Sequence, residues 1–342
     1  MEVLRATDPE TARVVAVHRR DGRIVGAGCL VDSRHVLTCG HVVATALGSA
    51  SEPIGEHIPI SIIGVRGRPT LWARVVKVLG TRLETDVAML EIVDQQRISV
   101  PPAEFARPLS HGGKSYSVFG FPLGDAQGRN VTGTLNASDA VGLVQMDRGG
   151  VLSVLGGFSG APVWSRDLRA FVGLVVTEQA SLGVSWCIPS HILSLFYPQL
   201  AVRFRIAPSD RPAVHDLEID DPNLQLFSEI SNNGSRTVEA RIIERKHDYR
   251  VDVTYRILPA GEAERGQWVT FITYPGFGQP TEDAYELFAK IEGGKAEQSF
   301  EPLELFTVAA IGDAGDTVLT LDLEKEHLKT REKGKRQGAG AT

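Results

Sequence analysis

The chain has 342 residues, 42% hydrophobic and 23% charged, with a formal net charge of -6 at pH 7. That length and composition predict about two globular domains, and the negative balance argues against a general nucleic-acid binder. No run reaches the roughly 18 apolar residues of a membrane helix, and the acid-bearing N-terminus lacks the apolar segment of a secretory signal. Three cysteines, Cys29, Cys39 and Cys187, are too few and oddly numbered for a disulfide framework, and they lack metal-ligand spacing. The expectation is a cytoplasmic protein with free buried thiols, no cofactor and no metal, contacting neither membrane nor nucleic acid. Abundant glycine (35) and proline (18) between short Val-rich runs predict an all-β fold.

In chain order, strand-like runs fall at 12–19, 23–32, 35–38, 58–66, 71–79 and 87–93, with Asp21-Gly22 marking the first turn. A second set lies at 115–121, 129–135, 140–146, 151–155, 162–166, 170–177 and 183–188. Two sets of about six short strands suit two packed antiparallel barrels. Residues 189–200 then read as a helix with Ser190 as its cap. Residues 203–221 are polar and proline-containing, which predicts a linker. Strand character resumes at 237–244, 249–257, 268–274, 303–310 and 317–323, and the alternation in VDVTYRI and TVLTLDL is that of half-buried strands. About seven short strands over such a span predict a β-sandwich across 222–325. The charged, Gly/Ala-ending stretch 326–342 reads as a disordered tail.

Three segments carry chemistry. Val36-Leu37-Thr38-Cys39-Gly40-His41 ends a strand on a histidine. Thr85-Asp86-Val87-Ala88 places a carboxylate immediately before a buried strand, and Gly156-Gly157-Phe158-Ser159-Gly160-Ala161-Pro162 sets a serine in a glycine turn. A serine hydroxyl is a weak nucleophile that needs an adjacent base, and histidine has the pKa for that task. A buried carboxylate on the other ring nitrogen fixes the tautomer. Glycines beside the serine let the Gly157 and Ser159 N–H groups converge on a developing oxyanion. Each segment alone has an ordinary structural reading as a strand end or turn. Their order, spacing and common position at strand edges make the combination specific.

These motifs resemble those of the chymotrypsin-like serine proteases, in the order His, Asp, Ser. VLTCGHVV is similar to the family's histidine motif, TDVAML to its aspartate motif and GFSGAPVW to its nucleophile motif. The resemblance covers residues 10–200, with GFPLG, VTGTL and GVSWCIPS as supporting pieces, and is closest to the bacterial, disulfide-free branch. It implies a protease domain over 1–202 with a chymotrypsin-like double β-barrel, a catalytic triad of His41, Asp86 and Ser159, and an oxyanion hole from Gly157 and Ser159. It also implies a primary pocket with Ser153 at its base and Gly183 in its wall. A small neutral base favours an apolar or uncharged substrate side chain, unless Glu178 reaches in. Phe158, Ala161 and Cys39 depart from the family pattern, the last standing where alanine is usual. Arg23-Ile24-Val25-Gly26 mimics a zymogen cleavage site but lies where the family has a strand.

Residues 222–325 resemble the prokaryotic YEATS-like domain, an immunoglobulin-like β-sandwich, through Leu224–Phe227, Arg236–Ala240, Val269–Phe277, Phe306–Ala310 and Leu319–Leu323. The resemblance implies a recruiting module for a regulatory protein partner in a bacterial conflict or defence system. Tyr274 and Phe277 read as core aromatics rather than an acyl-lysine cage. Two readings follow: an endopeptidase acting on protein or peptide substrates, or a catalytically weak scaffold that recruits partners through its C-terminal sandwich.

Overall fold

The computed structural model describes residues 3–5, 11–48, 52–65, 67–80, 85–94, 97–99, 103–150, 154, 156–179, 184–207, 210, 227, 230–259, 266–273 and 286–338. The chain divides into two compact units, Met1–Ala201 and Val202–Thr342. The first unit opens on β1 (Val3–Arg5), and six strands follow: β2 (Val14–His18), β3 (Ile24–Leu30), β4 (His35–Thr38), β5 (His57–Ile62), β6 (Thr70–Val78) and β7 (Ala88–Ile92). They close a barrel in the order β2-β3-β4-β7-β6-β5. β8 (Arg97–Ser99) pairs in parallel with β1.

The alternation that predicted these strands has a visible cause. Along β6, Leu71, Ala73 and Val75 point into the barrel while Thr70, Trp72 and Arg74 are exposed, the two-residue period of a pleated strand. At the Asp21-Gly22 turn, Gly22 takes φ +86°, and the Asp21 carboxylate accepts the Arg23 backbone N–H at 3.1 Å. The Arg23–Gly26 string therefore leads straight into β3, which is hydrogen-bonded on both sides, to β2 and β4. A helix, α1 (Gly40–Leu47), follows β4 and buries Val42, Val43 and Ala46. Its N-cap residue is Cys39, which makes no side-chain cap bond, so the usual sequence signal of a helix start is missing.

After β9 (Phe105–Pro108) come β10 (Ser115–Gly120), β11 (Arg129–Ser138), β12 (Val144–Arg148), β13 (Pro162–Ser165), β14 (Ala170–Gln179) and β15 (Val184–Pro189). They run β13-β10-β11-β12-β15-β14, and pairing of β13 with β14 closes the second barrel. β9 lies parallel to β14 at Phe105 and Phe171. Of the expected strand 151–155, Val154 is described outside any strand and the rest lies outside the described residues. Helix α2 (Ser190–Phe196) corrects the assignment of Ser190 as cap. Pro189 occupies that position, and the Ser190 hydroxyl donates to the Ala106 carbonyl at 2.7 Å, tying the helix to β9.

In the β9–β10 connection, burial first and then the positive charges of His191, Arg107 and Lys114 push the His111 imidazole down to about 4. An unfolded histidine titrates near 6.5, so between these values the unfolded chain binds the extra proton and folding stability falls with falling pH. The loss from this group approaches about 3 kcal/mol by pH 4. Burial lowers His18 as well, with the same sign. Urea unfolding midpoints should fall as pH drops below 6.5, less steeply for His111→Gln. An unchanged slope in that variant would assign the acid limb to other groups.

The second unit begins with β16 (Val202–Arg205). Seven more strands follow: β17 (Arg236–Glu244), β18 (Tyr249–Ile257), β19 (Trp268–Ile272), β20 (Glu286–Lys290), β21 (Lys295–Phe300), β22 (Thr307–Gly312) and β23 (Thr317–Asp322). They form a three-stranded sheet, β17-β18-β21, and a four-stranded sheet, β20-β19-β22-β23. Val251, Val253 and Tyr255 of one sheet share a core with Val269, Phe271, Val308, Ala310 and Leu319 of the other, the arrangement of a β-sandwich. The expected linker at 203–221 is folded at its start, because Phe204 and Ile206 pack against Phe227, Ile272, Ala309 and Ile311. Residues 211–221 lie outside the described residues.

The expected disordered tail at 326–342 is also corrected, for helix α3 (Leu323–Gly338) runs through most of it. Leu323 is buried in the sandwich core. Glu244 meets His327 at 3.3 Å and Arg331 at 3.7 Å, and Glu324 and Glu326 in the first turn suit the helix dipole. A charged composition hides a helix when one apolar residue and a few ion pairs do the anchoring.

Candidate active site

His41 stands in the first turn of α1, where the chain leaves β4. Gly40 makes the approach possible: a Cβ there would lie 2.3 Å from the Gly80 carbonyl and 3.1 Å from Asp86 Oδ1. The His41 backbone N–H consequently donates to Asp86 Oδ1 at 3.0 Å, and its Nδ1 bonds to Asp86 Oδ2. An ionised carboxylate only accepts, so Nδ1 carries the proton and Nε2 offers its lone pair. The Asp86 side chain is 3% exposed and that of His41 42% exposed. A buried acceptor thus orients a ring whose far edge meets solvent.

Ser159 lies in a turn whose described hydrogen bonds are made by backbone. Gly157 has φ +104° and Gly160 φ +84°, conformations that favour glycine. Space demands glycine too, since a Cβ on Gly157 would sit 2.1 Å from the Phe121 carbonyl and one on Gly160 2.1 Å from the Ala27 carbonyl. The Ser159 carbonyl accepts the Ala27 N–H at 2.8 Å, and Gly160 N–H donates to the Val175 carbonyl at 2.7 Å. The same Val175 oxygen accepts the Cys39 thiol at 3.3 Å. The Thr38 hydroxyl donates to Ala27 O at 2.6 Å. The serine turn of the second barrel is therefore docked on β3 and on the residues immediately preceding His41.

These contacts join His41 to Asp86 directly and bring the Ser159 turn to the same seam. Among the described residues, neither Ser159 Oγ nor His41 Nε2 has a hydrogen-bond partner. The Gly157 and Ser159 amides likewise donate to no described acceptor. Phe158, between them, is buried in the space that Gly120 leaves open, where a Cβ would come within 2.3 Å of its ring. Ser153 and Gly183 lie outside the described residues, as does the side chain of Glu178.

Sequence reasoning missed the support beneath the turn. Phe121 N–H donates to Gly157 O at 3.1 Å and Leu123 N–H to Gly156 O at 3.2 Å. The GFPLG string thus clamps the backbone that presents the Gly157 amide, with Leu123 at φ +54°. Its glycines and proline signalled a turn, but nothing in it signalled which turn it would meet. Gly157→Ala is expected to displace that amide and lower kcat by about 100-fold or more. Gly156→Ala, whose Cβ meets nothing within 4 Å, serves as the contrasting variant and retains turnover. Equal losses in both would detach the clamp from catalysis.

Cys29, Cys39 and Cys187 are free and buried. Burial pushes the Cys29 and Cys187 thiols up to about 12. Burial, and after it the charge of Asp86, drive the Cys39 thiol well above its ordinary range. None is a thiolate nucleophile at neutral pH.

Residues 26–174 match the family model of the trypsin-like peptidase domain, a stretch that contains His41, Asp86 and Ser159. Together with the double barrel, the match supports a trypsin-like peptidase domain in the first unit. A comparison with curated proteins found no match. Among solved structures, a serine endoprotease from Yersinia pestis is 20% identical over 56% of this chain and 64% of that one, with a TM-score of 0.44. The protease domain of MamO from Magnetospirillum magneticum is 18% identical over 55% of this chain and 97% of that one, with a TM-score of 0.41. The chain spans 64% of the length of the Yersinia protein.

Proposed function

We propose that the first unit is a serine endopeptidase that cleaves protein substrates through an acyl-enzyme on Ser159. His41 Nε2 takes the hydroxyl proton as Ser159 Oγ attacks the scissile carbonyl, then gives it to the leaving amine. Asp86 holds the imidazole in the reactive tautomer, and the Gly157 and Ser159 amides receive the oxyanion. One observation carries the reading: a buried carboxylate bound at once to the ring and to the backbone of a half-exposed histidine, beside a docked serine turn. A fluorophosphonate probe should label the wild type and fail on Ser159→Ala; a wild type that never labels would sink the reading.

That Ser159 Oγ bonds to no described residue favours the second reading, a weakly active scaffold, and the same probe separates the two. Catalytic bonds are often formed only with substrate present, which is why the first reading is preferred. With Ser153 and Gly183 as pocket residues, the substrate side chain is apolar or uncharged, a preference that a peptide library would display. The C-terminal sandwich acts as a YEATS-like module that recruits a regulatory protein partner in a bacterial conflict or defence system. The three free thiols support a cytoplasmic location, and no described helix is long and apolar enough to cross a membrane. Full-length Ser159→Ala used as bait should lose its partner when 222–325 is deleted.

A further inference from the structure

We propose that Cys39, His41 and Asp86 form an inhibitory site for a thiophilic divalent cation of the zinc type. One ligand atom from each, a thiol sulfur, an imidazole nitrogen and a carboxylate oxygen, all lie within 4.8 Å of one another. That donor set suits zinc and its heavier relatives. In a tetrahedral site with Zn–S near 2.3 Å and Zn–N near 2.0 Å, ligand atoms stand about 3.5 Å apart, so no pair need close by more than about 1.3 Å, while Nδ1 and Oδ2, already in hydrogen-bond contact, must move apart. The half-exposed imidazole is the member of the three that meets solvent.

The surroundings tolerate the exchange. An ion on Cys39 Sγ displaces the thiol proton from the Val175 carbonyl, yet that carbonyl keeps the Gly160 N–H at 2.7 Å. Asp86 already divides its oxygens, Oδ1 to the His41 backbone and Oδ2 to the ring. An ion on Oδ2 and Nδ1 leaves the backbone bond intact. One thiolate and one carboxylate neutralise a divalent charge, so the occupied site is neutral overall. Coordination removes the proton from a thiol outright.

The balance is simple. The cation forms bonds to Sγ, Nδ1 and Oδ2, the thiol proton leaves to solvent, and the Nδ1 proton is replaced by one on Nε2. One proton is released per ion, and nothing is oxidised or reduced. Nε2, now protonated, has no lone pair for the Ser159 hydroxyl. The binding site stands on its own geometry, whereas the inhibition rests on the peptidase reading above.

The test adds cadmium to the full-length protein and reads thiolate-to-metal absorption, proton release and fluorophosphonate labelling with and without the ion. The wild type should gain one absorption band and release one proton per chain, and the ion should suppress labelling. Cys39→Ala and Cys39→Ser should both lose the band and the ion's effect on labelling, each compared with its own ion-free control. Cys29→Ala should keep the band. Absence of the band in the wild type, or its survival in both Cys39 variants, overturns the site. A Cys39-dependent band with labelling unaffected by the ion overturns the inhibition. A Cys39-dependent band in a protein that never labels supports the site and defeats the peptidase reading instead.

Discussion

Ser159→Ala is expected to lower kcat for peptide hydrolysis by about four to six orders of magnitude. The hydroxyl is the attacking atom, and neither His41 nor the turn amides can substitute for it. Residual turnover would come from substrate binding and the two amides acting on a water molecule. The fold should be indifferent, because the turn is fixed by its backbone. Ser159 O still accepts from Ala27, Gly160 N still reaches Val175, and the glycines at 157 and 160 keep their positive φ. Ser159 Oγ has no described hydrogen bond to lose. The urea unfolding midpoint of the variant should match the wild type while labelling and turnover vanish. Turnover within tenfold of wild type would end the case for an acyl-enzyme at this residue.

The parts of this architecture that sequence could reveal are those set by local periodicity. β6 alternates because one face meets the barrel interior, and that alternation needs no partner to be visible. The histidine, aspartate and serine strings were legible because each couples a reactive side chain to a strand end or a glycine turn. Elements held by tertiary contact were not. α1 lacks a capping side chain, and Val42 and Val43 inside it are good strand formers. β21 buries little beyond Ala296, so its string Lys-Ala-Glu-Gln-Ser-Phe carries no apolar period. α3 looked like a solvated tail because its anchors, Leu323 and the Glu244 partners, are visible only in three dimensions. The clamp of Phe121 and Leu123 on the serine turn, and the convergence of Cys39 on the His41–Asp86 pair, each join segments separated in the chain.

Asp86→Asn should cost about 10⁴ in kcat with little change in packing, and the reason lies in the His41 backbone. Its N–H donates to Oδ1, so an amide at this position must place its oxygen there. The amide NH₂ then faces His41 Nδ1, where Oδ2 stood. Two donors cannot share a bond, so the imidazole moves its proton to Nε2 and leaves Nδ1 to accept. The ring keeps its place but presents N–H to Ser159, and the base is lost without any loss of geometry. Cation binding by Cys39, Asp86 and Nδ1 would impose the same tautomer from a different direction. Proton NMR should show the Nδ1 resonance of the wild type disappear in Asp86→Asn as kcat collapses. If the rate falls by less than tenfold while that resonance is gone, tautomer control by Asp86 is not what makes His41 a base.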